Sequence, residues 1–124
     1  MNVQSYRDLI AWQKGVDLVE GIYRATQTWP REETYSLTDQ VRRAAVSVPA
    51  NIAEGHGRHS TKEFLQHLGI ASGSLCEAET HLVIASRLRY VSPNDLEDLL
   101  EQTAEVGRLL HGLKRSLRSL LSSP

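Results

Sequence analysis

The chain has 124 residues, a length typical of one compact domain. Hydrophobic residues make up 40% of it and charged residues 23%, a globular composition that argues against an intrinsically disordered protein. The formal net charge is −1, whereas a protein whose whole surface binds nucleic acid is usually strongly basic, so any nucleic-acid site must be a local patch.

The first predicted helix covers residues 6–28. Ser5 and Asp8 have the spacing of a helix cap, and Trp29-Pro30 ends the segment because proline disfavours a helical residue before it. Apolar residues recur at steps of three and four, which predicts one buried face. That face consists of Leu9, Trp12, Val16, Val19 and Tyr23.

The second predicted helix covers residues 37–54. Ser36 is its expected cap, and Pro49 predicts a kink because its ring removes one backbone hydrogen bond. Gly55 and Gly57 are expected to end the helix, since glycine readily adopts the left-handed conformation. The predicted buried face consists of Leu37, Val41, Ala44, Val48 and Ile52.

The third and fourth predicted helices cover residues 61–89 and 93–120. Ser60 and Glu63 form a capping-box sequence, and Ser92 precedes a proline at a first helical position. The apolar face of the third is Phe64, Leu68, Ala71, Leu75, Ala78, Leu82 and Ala85. That of the fourth is Leu96, Leu99, Thr103, Val106, Leu110, Leu113, Leu117 and Leu120. Most connections are short, so we predict one all-α domain over residues 1–124, an antiparallel up-down-up-down four-helix bundle.

No spacing typical of catalysis or metal binding is found. The Glu-x-x-His motif of di-iron bundles is absent, and His59, Glu63 and His67 at helical spacing are more simply surface residues. Cys76 is the single cysteine, and we expect it to lie beside the apolar face of the third helix as a small hydrophobe. Glu77 and His81 are more simply an i, i+4 pair than part of a catalytic group. We therefore expect no enzyme activity, no catalytic residue, no metal and no cofactor.

Nothing in the sequence indicates a membrane or an exported protein. No apolar run approaches the ~20 residues that cross a bilayer, and the first residues lack a secretion-signal pattern. One cysteine permits no disulfide within the chain. We expect a cytoplasmic protein.

Two polar features have open interpretations. Ser47, Asn51 and Glu54 lie on one side of the second helix, where they form either an internal hydrogen-bond network or a subunit contact or ligand cleft. The stretch from Gly55 to Lys62 is either a turn or an anion-binding loop at a helix N-terminus, with the turn favoured.

Basic residues provide the candidates for nucleic-acid binding. From Val106 onward the chain has four bases and no acid. Others lie around the second helix and the turn that follows it. The candidates are Arg42, Arg43, Arg58, Lys62, Lys114, Arg115 and Arg118.

The centre of the chain resembles a known family. The matching residues include Arg42-Arg43-Ala44-Ala45, Ser47, Pro49, Asn51-Ile52-Ala53-Glu54-Gly55, Arg58, Phe64, Gly73-Ser74-Leu75, Glu77 and Tyr90. They resemble the four-helix bundle proteins encoded in intervening sequences of bacterial 23S ribosomal RNA genes, over about Tyr6 to Leu117. The resemblance implies a homopentameric ring without established enzyme activity, related to the nucleic-acid-binding accessory proteins of diversity-generating retroelements. It also suggests a reverse transcriptase or another neighbouring-gene product as a partner.

Three hypotheses follow. The first is a non-enzymatic, self-assembling scaffold that binds RNA or DNA weakly through repeated basic patches. The second is a protein-protein interaction module with no nucleic-acid role, and the third is a small metal-binding or ligand-binding bundle.

Overall fold

The computed structural model describes residues 5–122, and every regular element among them is helical. The α-helices are α1 (Ile10–Thr26), α2 (Leu37–His56), α3 (Thr61–Arg87) and α4 (Pro93–Ser122). Short 3-10 turns at Tyr6–Asp8 and Arg31–Glu33 precede α1 and α2. The predicted all-α four-helix bundle is confirmed. The single domain over residues 1–124 stays a prediction, because residues 1–4 and 123–124 lie outside the described part.

The helices pack in chain order, with α4 returning to α1. α2 contacts α1 and α3, and α4 contacts α3 and α1. In these neighbouring helices, residues later in one helix contact residues earlier in the other, as expected for antiparallel helices. Examples are Thr26 with Arg42 and Gly15 with Pro49, Ser47 with Ser74 and Asn51 with His67, Ser72 with Lys114 and Leu75 with Gly107. Pro49 lies within the continuous α2, and the kink expected there stays a prediction.

The core consists largely of the faces predicted for α2 and α3. All five predicted residues of α2 are buried, as are six of the seven of α3, with Phe64 half-buried against them. In α4 the prediction is wrong at Leu120, which is 65% exposed. Leu120 is exposed because α4 is longer than the part of the bundle that covers it. Ile10, at the start of α1, lines the same groove as Gly112, so the last turns of α4 extend past the start of α1.

The buried face predicted for α1 is confirmed at Leu9 and wrong at its two most exposed residues. Val16 and Tyr23 are 37% and 41% exposed, while Trp12 and Val19 are only half-buried. The residues that α1 does bury are Ala11, Gly15, Leu18, Ile22 and Thr26. Small residues on this face let α1 approach α2 closely, since a Cβ added at Gly15 would lie 3.4 Å from Cβ of Pro49. α1 therefore carries two apolar stripes, of which the sequence pattern identified the outer one.

Two of the four predicted caps function as expected. The hydroxyls of Ser60 and Ser92 accept hydrogen bonds from the backbone N–H groups of Glu63 and Asp95. Ser5 does form a capping box, but it caps the 3-10 turn, because the extended conformation of Leu9 separates that turn from α1.

The expected cap at Ser36 is absent. Its side chain makes no cap hydrogen bond, and an oxygen of Glu33 lies 3.4 Å from the Leu37 backbone nitrogen instead. The 3-10 turn that precedes α2 therefore supplies the acceptor that the sequence pattern assigned to Ser36.

The left-handed residue in the described chain is Arg89 rather than a glycine. Gly57 ends α2 with φ −80°, and Gly55 is buried inside that helix. Arg89 has φ 65° just after α3. The backbone N–H of Tyr90 donates to the carbonyl of Ala85 at 2.9 Å, and that of Arg89 donates to the carbonyl of Ser86 at 3.0 Å. This is the Schellman arrangement, which satisfies carbonyls left unpaired at a helix end.

Tyr90 should make stability depend on alkaline pH. Its hydroxyl donates to a carboxylate oxygen of Glu33 at 3.0 Å, and this hydrogen bond, with burial, raises the pKa of the Tyr90 phenol above its ordinary value of 10.0. The folded state therefore holds this proton more tightly than the unfolded state does. The stabilisation is fully present below the unfolded pKa and is lost as pH rises through the folded pKa.

Denaturant unfolding measured from neutral pH to above pH ~10 tests this expectation. The Tyr90→Phe variant should lose less stability over that range than the wild type. Identical pH dependence in the two proteins would contradict the assignment.

Candidate nucleic-acid interface

Five of the seven candidate cations lie in the half of the bundle that contains the link between α2 and α3. The short link 57–60 joins the end of α2 to the start of α3. The Lys114 amino group donates to the Ser72 hydroxyl at 2.7 Å, which holds the last part of α4 beside the first part of α3. We call this half the basic end and define it by Arg58, Lys62, Lys114, Arg115 and Arg118.

The cations of the basic end differ in whether they form ion pairs. Arg58 pairs with Glu54 at 3.0 Å, with both side chains about half exposed, so this pair is weak in water. Lys62 and Arg115 are exposed, and neither forms an ion pair within residues 5–122. Exposed cations attract phosphate by charge without regard to sequence, and their contribution falls as salt rises. The basic end is suited to weak, non-specific binding of a polyanion.

Arg42 and Arg43 lie in the other half of the bundle. The Arg42 Nε donates to the Thr26 hydroxyl at 2.8 Å, and its guanidinium lies 4.5 Å from the centre of the Tyr23 ring. Arg43 pairs with Asp39 at 3.0 Å. Both line an open groove of about 500 Å³ between α1 and α2. The structure therefore divides the seven candidate cations into two separate surfaces.

The predicted polar side chains of α2 meet partners on α3. The Asn51 side-chain amide donates to the carbonyl and to the hydroxyl of Ser47, both at 2.9 Å, and its oxygen lies 3.1 Å from Nδ1 of His67. The Ser74 hydroxyl donates to the Ser47 hydroxyl at 2.8 Å. Glu54 is exposed and lies 3.7 Å from His67 Nδ1. These hydrogen bonds are made within the chain, where they fix the register of α2 against α3.

Sequence reasoning missed His67 and Ser74 as members of this network. They are seven residues apart, which places them on one face of α3, but the sequence alone does not show that this face meets Asn51. His59, Glu63 and His67, which are at helical spacing, do not converge as metal ligands in the described structure, and the His67 side chain contacts Asn51.

The remaining reactive side chains form no constellation. Cys76 is exposed, which corrects the expectation that it packs as a small hydrophobe. Nε2 of His81 lies 3.8 Å from Glu77, and both of its ring nitrogens are buried without a hydrogen-bond partner in the described part of the chain. Among residues 5–122, no three His, Cys, Asp or Glu side chains converge as metal ligands would. No helix in this range combines the length and hydropathy that crossing a membrane requires.

Comparison with known proteins places the fold and the family. The crystal structure of a protein of unknown function from the S23 ribosomal protein family, from Bacteroides thetaiotaomicron VPI-5482, has a TM-score of 0.79 and 22% sequence identity to this chain. The similarity covers 86% of this chain and 96% of that one, and at this identity it establishes the fold alone. No curated protein sequence matches the chain.

The family is established by the sequence. Residues 7–112 match the model of the 23S rRNA-intervening sequence proteins, a range that includes all four helices except the last part of α4. The predicted resemblance is thereby confirmed. The chain belongs to the 23S rRNA-intervening sequence protein family.

Proposed function

We propose that this protein is a cytoplasmic, non-enzymatic scaffold that assembles into a homopentameric ring and binds RNA or DNA weakly through its basic end. The observation that carries the proposal is the grouping of Arg58, Lys62 and the three late cations of α4 in one half of a bundle whose net charge is close to zero. A chain with a net charge of −1 gains affinity for a polyanion only where its cations are concentrated.

Assembly would multiply this weak interaction. In a ring with cyclic symmetry the copies are equivalent, so the basic end repeats around the ring and one nucleic-acid molecule can meet several copies of it. Linked weak sites bind with a total affinity far above that of one site, provided that they can engage together. The family resemblance supports the pentamer as the number of copies.

Charge reversal at the basic end tests nucleic-acid binding. The Lys62→Glu/Arg115→Glu variant is expected to lose roughly tenfold or more in affinity and to show a shallower dependence on salt, because fewer phosphates are neutralised. Filter binding of a single-stranded RNA and a duplex DNA, titrated across ionic strength, measures both effects.

The Arg24→Glu/Arg31→Glu variant is the matched control. It makes the same change in net charge at exposed residues near the end of α1 and the start of α2. Equal losses in the two variants would show that only total charge matters. Wild-type protein without detectable binding at low ionic strength would reject the nucleic-acid part of the proposal.

A protein-interaction module is the second candidate, and exposed apolar side chains favour it. Ile70 and Leu88 on α3 are 52% and 50% exposed, and a protein partner would remove this apolar surface from water. The partner would be a reverse transcriptase or another neighbouring-gene product. Affinity purification that recovers one protein and no nucleic acid would favour this function over the first.

A further inference from the structure

The outer apolar stripe of α1 continues onto α2. Val16 and Tyr23 are 37% and 41% exposed, Val19 is half-buried, and Val46 of α2 is 41% exposed. Tyr23 and Val46 line the same groove, so the two helices present one surface. We call Val16, Val19, Tyr23 and Val46 the α1–α2 ridge. The bundle core does not use the exposed part of this ridge.

α3 has an outward face with unusually little side-chain volume. Gly69 and Gly73 lie in the middle of a 27-residue helix, and a Cβ added to either would meet no atom of the described chain within 4 Å. No described glycine has a positive φ, so backbone conformation does not require them. Each costs about 1 kcal/mol in helix stability relative to alanine.

Exposed apolar residues accompany these glycines along α3. Ile70, Ile84 and Leu88 are 52%, 41% and 50% exposed. Together with Gly73 they recur at helical spacing, which places them on one side of the helix. We call Gly69, Ile70, Gly73, Ile84 and Leu88 the α3 face. The absence of side chains at Gly69 and Gly73 leaves room for another helix to approach this side of α3 closely.

Charged residues indicate which surface packs against the α3 face. Arg43, with a side chain 80% exposed, lies in the groove that borders the α1–α2 ridge. Glu77, 61% exposed, follows Gly73 by four residues and so lies on the α3 face. The groove that contains Arg43 also contains Arg42 and Asp39, the partner of Arg43, so two cations and one anion leave it with one net positive charge. Ridge against face brings this positive surface to Glu77, whereas two α3 faces would bring two Glu77 side chains together.

We propose that the α1–α2 ridge of one copy packs against the α3 face of the next copy. This inference rests on the proposed self-assembly and specifies its contact. Three of the four ridge residues lie on α1, which contacts α2 and α4, so the α3 face lies across the bundle from them, and only Val46 lies on α2, which packs against α3. A contact between two different surfaces is heterologous, and such contacts give rings when the rotation closes.

The contact can be tested by mixing two variants, one with a disrupted α3 face and one with a disrupted ridge. Gly73→Leu fills the α3 face, and Val46→Glu places a charge on the ridge. Size-exclusion chromatography with light scattering should give the single-chain mass of 13.9 kDa for each variant alone, while the wild type forms a larger assembly. An equimolar mixture should form a dimer, because one intact ridge and one intact α3 face remain.

The outcomes separate the two proposals. A wild type that stays monomeric at every concentration would reject self-assembly and this contact with it. A wild type that assembles, with Val46→Glu also assembling alone, would overturn only the surface assignment and indicate pairing through α3. A mixture that stays monomeric would overturn it too.

A milder pair of variants excludes misfolding as the cause. Gly73→Ala should melt at a temperature no lower than the wild-type monomer, because alanine favours helix, and yet assemble at least about tenfold more weakly. Gly112→Ala on α4 is the matched control, since its added Cβ also meets no described atom within 4 Å. It should leave assembly unchanged.

Charge exchange gives an independent readout. Arg43→Glu and Glu77→Arg should each weaken assembly, and the two changes combined in one chain should restore it. Additive losses in the double variant would overturn the proposed pairing of these side chains.

Discussion

Replacing Leu82 with alanine is expected to lower the free energy of unfolding by about 2–5 kcal/mol. Leu82 is completely buried near the C-terminal end of the α3 apolar face, with Ala78 and Ala85 beside it on the same face. Neighbouring alanines cannot expand into the space, so the cavity should persist and its cost should add to the lost hydrophobic burial. Urea or thermal unfolding, followed by circular dichroism at fixed protein concentration, measures the loss.

Leu120→Ala is the matched control, because it removes the same atoms from a side chain that is 65% exposed. Its stability should stay within about 0.5 kcal/mol of the wild type. Similar losses at Leu82 and Leu120 would mean that the buried apolar side of α3 does not form the core of the folded protein.

Gly55→Ala is expected to destabilise the protein by about 1–3 kcal/mol, although alanine is the better helix former. A Cβ at this position would lie 2.7 Å from Cβ of His67 and 2.9 Å from Cδ1 of Phe64. The first of these contacts involves an atom fixed to the α3 backbone, so the end of α2 and the start of α3 must move apart. The displacement would also strain the hydrogen bond between His67 and Asn51.

Gly57→Ala provides the comparison two residues away. Its added Cβ would lie no closer than 3.6 Å to the nearest atom of the described chain, the carbonyl oxygen of Glu54. Thermal unfolding should show this variant to be as stable as the wild type or more so, since alanine restricts the unfolded chain. If Gly55→Ala were as stable as Gly57→Ala, the close approach of α2 to α3 would be wrong.

The sequence predicted most of the fold because three of the four helices have one dominant apolar pattern. In α3, large residues such as Leu75 and Leu82 mostly alternate with alanines, and in the structure this whole pattern lies in the core. α1 was different. It has an inner stripe containing Ala11 and Gly15 and an outer stripe containing larger residues, and hydrophobicity alone favours the larger ones. Close helix packing requires small residues, which carry little hydrophobic signal.

The candidate site was predictable in its residue types and only partly in its grouping. Short links indicate that α2 and α3 are neighbours, so Arg58 and Lys62 are expected together. Bringing Lys114 to Ser72 requires knowing which turns of α3 and α4 are level, and that depends on packing along the whole length of both helices. Arg42 and Arg43 lie about four turns of α2 before Arg58, roughly 23 Å along the helix axis, and so are on a different surface.

The position of the cations in one half of a long, narrow bundle limits what one copy can cover. α4 has 30 residues and is therefore about 45 Å long, whereas the bundle is two helices, or roughly 20 Å, across. If a polyanion binds at the end of the bundle, it meets this narrow cross-section with the bundle upright on it. A footprint of that width spans only about six base pairs of duplex. A single upright rod would therefore leave quickly, and long residence would require neighbouring rods standing side by side on the same strand.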